Sequence, residues 1–303
     1  MPAPLRADAP GRTGSRALRR DDPQYPAGLR ELSHPPPCVW ALGAELPAVA
    51  RAVAVVGSRA ASRYGLDQAA RLAHDLARLG LVVVSGLARG IDAAAHRAAL
   101  AAGGRTVAVL PAGLDAITPR HHRPLAAEIA RQGTLLTEWE RGEPAGKGVF
   151  VQRNRLIAAL AGATVVVEAA VHSGALTTAA FALRLGRPVL AVPGDVDRET
   201  ARGTHALLRA GAHLCEHAGD VMAAMAGRYG AARPEPVAPA VASPGATPEA
   251  RLLAALGDTP RAVERLAAAA GLPVAEALSA LLALRWAGAA SPRPGQRWVR
   301  GTP

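Results

Sequence analysis

Through the middle of the chain, short uninterrupted apolar runs alternate with stretches whose apolar residues recur every three or four positions. The runs are AVAVVG (52–57), LVVVSG (81–86), TVAVLP (106–111), GTLLTE (133–138), ATVVVEA (163–169) and PVLAVPG (188–194). They are rich in β-branched residues and most end at Gly, Pro or Glu, the pattern of strands buried on both faces. Between them, LDQAARLAHDLARL (66–79), IDAAAHRAALAA (91–102), RPLAAEIARQ (123–132), RNRLIAALA (153–161) and LTTAAFALRL (176–185) carry helical spacing. Continuous apolar strands alternating with helices predict a doubly wound, mostly parallel α/β domain over residues 51–227.

The flanks read differently. Residues 1–20 are expected to be a disordered arm, and the Pro-punctuated, partly apolar segment 21–50 a packed lead-in to the sheet. Residues 228–247 are Pro/Ala-rich without periodicity, as in a semi-rigid linker. Beyond them, TPEARLLAALGD, PRAVERLAAAAG and PVAEALSALLALRWAG are three short amphipathic helices, and SPRPGQRWVRG fits a β-wing. That order predicts a small winged-helix domain over 248–303, a size that folds alone only marginally.

Composition narrows the class. Half the residues are hydrophobic but only 3% are aromatic, so the core must be built of Ala, Leu and Val. No apolar stretch reaches about 18 residues, so no membrane span is expected. The basic N-terminus has no hydrophobic run behind it, so no secretory signal is expected either. Cys38 and Cys215 stand far apart, which is neither a disulfide framework nor a metal pattern and fits the reducing cytoplasm. The formal charge is +11, and Lys147 is the only lysine among 35 basic residues. Such an arginine excess reflects base composition in part; the remaining field favours either a polyanionic partner or simple solubility.

In a doubly wound sheet ligands sit beyond the C-terminal strand ends. The first run ends in Gly57-Ser58-Arg59, where a tight turn, a hydroxyl, a cation and a following helix start suit a phosphate. The same text also suits a plain strand-to-helix turn. The second run leads into Ser85-Gly86 and Arg89, with Asp92 and His96 one helical turn apart. Asp92 and His96 are either a catalytic pair or a cap with a buried hydrogen bond, and no nucleophile accompanies them. From Lys147 to Arg155 the chain sets a lone lysine between glycines, then Phe150, Arg153, Asn154 and Arg155. Cation, aromatic and basic helix start are what backbone contact plus base stacking requires. Alternatively Phe150 is core, and Arg153 and Arg155 are surface or pair with Glu138 or Glu140. After the fifth run, His172-Ser173-Gly174 and Thr177 offer hydroxyls and N–H groups to a phosphate, or ordinary caps to a helix.

In order, VAVVGSRAASRYG, VVSGLARGIDAAAH, GRTVAVLPAGLD, LLTEWERGEPAG, FVQRNRLIAALA, VVVEAAVHSGALTTAAFAL, GRPVLAVPG and GTHALLRAGA resemble the DNA-processing protein A family (DprA, or Smf) across 52–215. The resemblance implies a Rossmann-like domain that binds single-stranded DNA, dimerises and helps load RecA recombinase onto incoming strands during natural transformation, without catalysis or cofactor. By motif, Gly57, Ser58, Arg59, Lys147 and Phe150 would face DNA, Arg153 and Asn154 would contact or support it, and Ser173 and Gly174 would line the same pocket. The chain departs from the family pattern at Pro111, Thr118-Pro119, His121-His122, Val151 and His205. His172 stands where Lys or Arg is common, which would weaken phosphate binding or make it pH-dependent. The family's optional N-terminal helical domain is not expected in the 50 residues ahead of the sheet.

Two other functions compete with single-strand binding. A nucleotide-hydrolysing Rossmann-like enzyme would need a PGG-x-GT loop, for which Pro193-Gly194-Asp195 is a poor substitute. A winged-helix transcription factor would need duplex binding located in 248–303.

Overall fold

A computed structural model describes residues 14–142, 148–229 and 247–301, except 258, 287, 295 and 296. The chain divides into two compact units, 1–237 and 238–303. The first begins with β1 (Ser15–Arg19), α1 (Ala27–Arg30) and β2 (Cys38–Gly43), and then alternates strand and helix. The strands are β3 (Ala52–Val56), β4 (Val82–Ser85), β5 (Thr106–Val109), β6 (Thr134–Thr137), β7 (Ala163–Val166), β8 (Val189–Ala191) and β9 (His213–Leu214). The helices are α2 (Arg63–Arg78), α3 (Ile91–Ala101), α4 (Arg123–Gln132), α5 (Val149–Leu160), α6 (Ala175–Arg184), α7 (Arg202–Arg209) and α8 (Ala218–Tyr229).

The sheet has nine strands in the order β1-β2-β6-β5-β4-β3-β7-β8-β9. From β6 to β9 every pairing is parallel, and the β1–β2 hairpin closes the β6 edge in antiparallel fashion. The chain builds outward from β3 through β4, β5 and β6, then recrosses by α5 to lay β7 on the other side of β3. The strand order therefore reverses at β3/β7, where a doubly wound sheet opens its ligand crevice.

Alternation along β3 shows why the pattern is apolar throughout. Ala52, Ala54 and Val56 join the core beneath α1, α5 and α6, whereas Val53 and Val55 join that beneath α2, α3 and α8. A buried arginine fastens the C-terminal end of α5. Arg187 donates to the carbonyls of Ala158 (2.7 Å), Ala159 and Ala161 (2.8 Å) and pairs with Glu31 at 3.1 Å. Carbonyls at a helix end lack their full set of helical partners, and here the Ala158 carbonyl also accepts from Ala161 N–H at 3.4 Å.

Two expectations at the flanks are corrected. Of the disordered arm placed over 1–20, Ser15–Arg19 is a strand, held in the sheet by β2 and by Arg16 donating to the Ala44 carbonyl at 2.8 Å, and residues 1–13 lie outside the described residues. Of the linker placed over 228–247, Arg228 and Tyr229 complete α8 and Thr247 caps the following helix; residues 230–246 lie outside the described residues.

The second unit contains α9 (Pro248–Ala255), β10 (Arg261–Ala262), α10 (Val263–Ala270), α11 (Val274–Trp286), β11 (Ala290–Arg293) and β12 (Arg297–Arg300). Its strands pair in the order β10-β12-β11, and Leu252, Leu266, Leu281 and Trp298 are buried together. Three helices and a β-wing make this a winged helix. Among the described residues, no single helix is long and apolar enough to cross a membrane.

Candidate nucleic-acid interface

The loops that leave β3, β4 and β7 meet at the reversal crevice, and the first two turns of α5 tie them together. Ile91 N–H donates to the Ser58 carbonyl at 3.2 Å, which sets the β4–α3 loop against the β3–α2 loop. Arg59 is exposed, and its guanidinium lies 4.6 Å from the centroid of the half-buried Phe150 ring. One turn further along α5, Asn154 donates to the Gly174 carbonyl at 3.0 Å and to Thr177 Oγ1 at 2.8 Å. Arg59, Phe150, Asn154 and Gly174 are thus consecutive links of one rim. Helix α5 starts at Val149 rather than Arg153, so Phe150 stands in its first turn.

The exposed part of this rim comprises Arg59, Arg89, His172 and Gly174, with Ser58 and Ser173 partly exposed. Ser58 Oγ accepts from Ala60 N–H at 3.1 Å, and Ser173 Oγ accepts from Ala175 N–H at 3.3 Å. Both hydroxyls therefore brace their own loops. Gly57 is the turn at the end of β3, backed by Ile91 and the Glu168 carbonyl. Lys147 lies outside the described residues.

Several predicted contact residues point inward instead. Ser85 is fully buried and donates to the Val55 carbonyl at 2.7 Å, pinning β4 to β3. Gly86 is buried because Arg153 occupies the space beside it: a Cβ there would lie 2.1 Å from the guanidinium. Arg153 is itself only 4% exposed and donates to the carbonyls of Gly86 (2.6 Å) and Val109. It staples α5 to the ends of β4 and β5, where no strand of DNA can reach it. Burial lowers its pKa to about 10, against the opposing field of Asp92. Arg155 pairs with Glu138, so its charge is already matched. Asn154 and Thr177 support the rim from beneath.

Asp92 accepts from the N–H groups of Gly86 (3.1 Å) and Ala88 (3.3 Å), and burial raises its pKa while the Arg153 field opposes the rise. His96 is fully buried. Its Nδ1–H donates to Thr106 Oγ1 at 2.7 Å, because that hydroxyl already donates to the Val83 carbonyl at 2.6 Å. Asp92 is therefore a brace for the β4–α3 loop rather than a helix cap, since α3 has no side-chain cap, and His96 makes a core hydrogen bond. Burial pushes the His96 imidazole from 6.5 down to about 3. As pH falls below 6.5 the unfolded chain takes up this proton and the folded chain does not. Stability due to His96 is therefore intact above that value and declines by about 1.4 kcal/mol per pH unit towards the folded pKa. Asp92 titrates in the opposite sense, so the difference in acid-unfolding slope between wild type and His96→Leu isolates the imidazole. An unchanged slope in the variant would refute the assignment.

The principal residue missed from the sequence is Glu168. It leaves β7 and is 4% exposed. Its Oε2 accepts from Ser62 N–H at 2.9 Å, and its Oε1 accepts from Ser62 Oγ at 2.5 Å. Ser62 is the N-cap of α2, so the anion niche expected after β3 holds the protein's own carboxylate. A glutamate closing an otherwise apolar parallel strand is the signal that could have marked it. Among the described residues no group of three or more His, Cys, Asp or Glu is placed to hold a metal ion.

A Rossmann-like sheet with a cationic, aromatic rim at its reversal crevice, followed by a winged helix, defines a two-unit α/β protein. The chain belongs to the DNA processing protein A family. The family model for DNA recombination-mediator protein A matches residues 16–226, and that for the DprA winged helix domain matches 235–296. The putative DNA processing protein DprA of Mycobacterium tuberculosis is 43% identical over 301 residues, 95% of this chain and 77% of that protein. The X-ray structure of Streptococcus pneumoniae DprA superposes with a TM-score of 0.65 at 38% identity, covering 69% of this chain and 73% of that one. Helicobacter pylori DNA processing protein A, whose structure was described for its single-stranded DNA binding mode, gives a TM-score of 0.61 at 29% identity, covering 70% and 95%.

Proposed function

We propose that this protein binds single-stranded DNA along the rim that runs from Arg89 through Arg59 and Phe150 to Ser173-Gly174, without catalysing a reaction on it. The observation that carries this reading is Arg59 stacked on Phe150 at the reversal crevice. A planar cation on an aromatic face gives both a phosphate contact and a platform for an unpaired base. Lys147, two residues before α5 in the sequence and outside the described residues, is the second cation we assign to the strand. His172 stands exposed on the same rim and contributes a polar contact. The single-strand binding mode described for the Helicobacter pylori relative supports the choice of ligand. Family membership supports the finer role: a dimer that protects incoming strands and helps load RecA recombinase onto them during natural transformation.

The nucleotide-hydrolysing alternative is disfavoured on physical grounds. Its phosphate niche is filled by Glu168, and Asp92 and His96 are turned into the core. The winged helix exposes Val274, Leu278 and Leu282 on α11 but also Arg285 there and Arg293, Arg297 and Arg300 on its wing, so the duplex arm of the competition below decides whether it reads duplex DNA.

The test is a competition between single- and double-stranded oligonucleotides at two salt concentrations. If one protomer neutralises three or four phosphates, log K falls with log salt at a slope of roughly −2 to −3. A slope near zero, or preference for duplex, would overturn the reading. Replacing His172 by lysine is expected to steepen the slope by about 0.7, as one more phosphate contact does. RecA filament assembly on strands coated with single-strand-binding protein tests the finer role: wild type should accelerate it and Arg59→Ala should not.

A further inference from the structure

Helix α2 has 16 residues and opens at the reversal crevice, where a doubly wound sheet ordinarily receives a phosphate. Here a carboxylate from the neighbouring strand exit is built into that position. Glu168 accepts from both the N–H and the hydroxyl of Ser62, with Thr200 Oγ1 a further 3.4 Å donor to Oε1. The helix backbone is shaped to receive it: a Cβ on Gly65 would lie 2.4 Å from the Glu168 carboxylate. The N-cap of α2 therefore has both its N–H and its hydroxyl engaged by a negative group that is almost wholly buried, while Gly65 N–H donates to the Ser62 hydroxyl at 3.0 Å.

We infer that Glu168 is a specificity-determining residue that excludes phosphomonoesters, so that the groove accepts the interior of a strand and rejects free nucleotides and 5′-phosphate ends. A phosphodiester meets the rim at the exposed Arg59 and needs nothing from the helix terminus. A terminal phosphate, with its additional charge, would have to displace Glu168 or lie against it. The part concerning strands rests on the groove reading above; the part concerning phosphate does not.

The experiment uses the full chain and inorganic phosphate as probe, read as a shift in melting temperature against chloride at matched ionic strength. Wild type should show no shift beyond chloride. Glu168→Ala frees the Ser62 donors, and its affinity for phosphate should rise by roughly tenfold or more. Glu168→Ser is made in parallel, because its hydroxyl leaves an acceptor near the Ser62 N–H; whichever variant folds is read. In strand binding, wild type should hold 5′-hydroxyl and 5′-phosphate oligonucleotides equally, while the variant should favour the phosphorylated one. Specific stabilisation of wild type by phosphate, or a folded variant that gains none, would overturn the inference. Failure of wild type to bind any oligonucleotide would instead overturn the groove reading and leave the phosphate result standing.

Discussion

Replacing Arg153 by alanine is expected to lower the unfolding free energy by about 3–5 kcal/mol, the cost of removing one member of a buried polar cluster. The guanidinium links three elements, donating to the Gly86 and Val109 carbonyls from the middle of α5. Its removal leaves two buried acceptors unpaired and Asp92 without the positive field that counters its desolvation. Arg153→Lys should restore part of the loss, since it keeps the charge but not the fork. Gly86→Ala should be comparably damaging, because its Cβ would overlap the guanidinium. Urea denaturation gives the free energies. Single-strand affinity, corrected for the folded fraction, should change far less. A stable Arg153→Ala variant that selectively loses DNA would show that the side chain faces the groove after all.

Arg59→Ala carries the second large effect, with the opposite signature: affinity for single strands falls by about tenfold to thirtyfold while stability stays within about 0.5 kcal/mol of wild type. The side chain is exposed and its packing partner is the Phe150 ring, so little folding energy depends on it. Phe150→Ala should cost about 1–3 kcal/mol of binding, as loss of one stacking platform does. The two side chains are in contact, so the double variant should lose less than the sum of the single losses. Fluorescence anisotropy at fixed salt measures all three. Strict additivity would mean that cation and ring act on different parts of the strand, and a parallel fall in melting temperature would make Arg59 a packing residue.

The strands β3 to β8 were legible because parallel strands covered on both faces are apolar along nearly their whole length, a signal that survives without any partner. It is interrupted here only by the small hydroxyl residues Ser85, Thr106, Thr134, Thr137 and Thr164. The hairpin escaped for the converse reason. Ser15–Arg19 carries two arginines and only one buried residue, Leu18, so nothing in it reads as strand until β2 supplies the ladder. Arg187 was unmarked in the sequence, although it satisfies three carbonyls around the end of α5.

At the candidate site the division has a different cause. The sequence alone placed glycines, hydroxyls and cations at successive strand ends, and this was enough to locate the rim, because chain direction in a parallel sheet sends all those ends to one side. It could not separate Arg59, which lies out on the rim, from Arg153, which turns under it, since both are arginines beside a strand terminus. Nor could it show that Glu168 fills the niche at the head of α2. Those assignments depend on which polar atoms remain unpaired once the helices close over the sheet: buried carbonyls draw in the nearest long donor, and a helix terminus draws in the nearest carboxylate. Only the tertiary packing determines which neighbours those are.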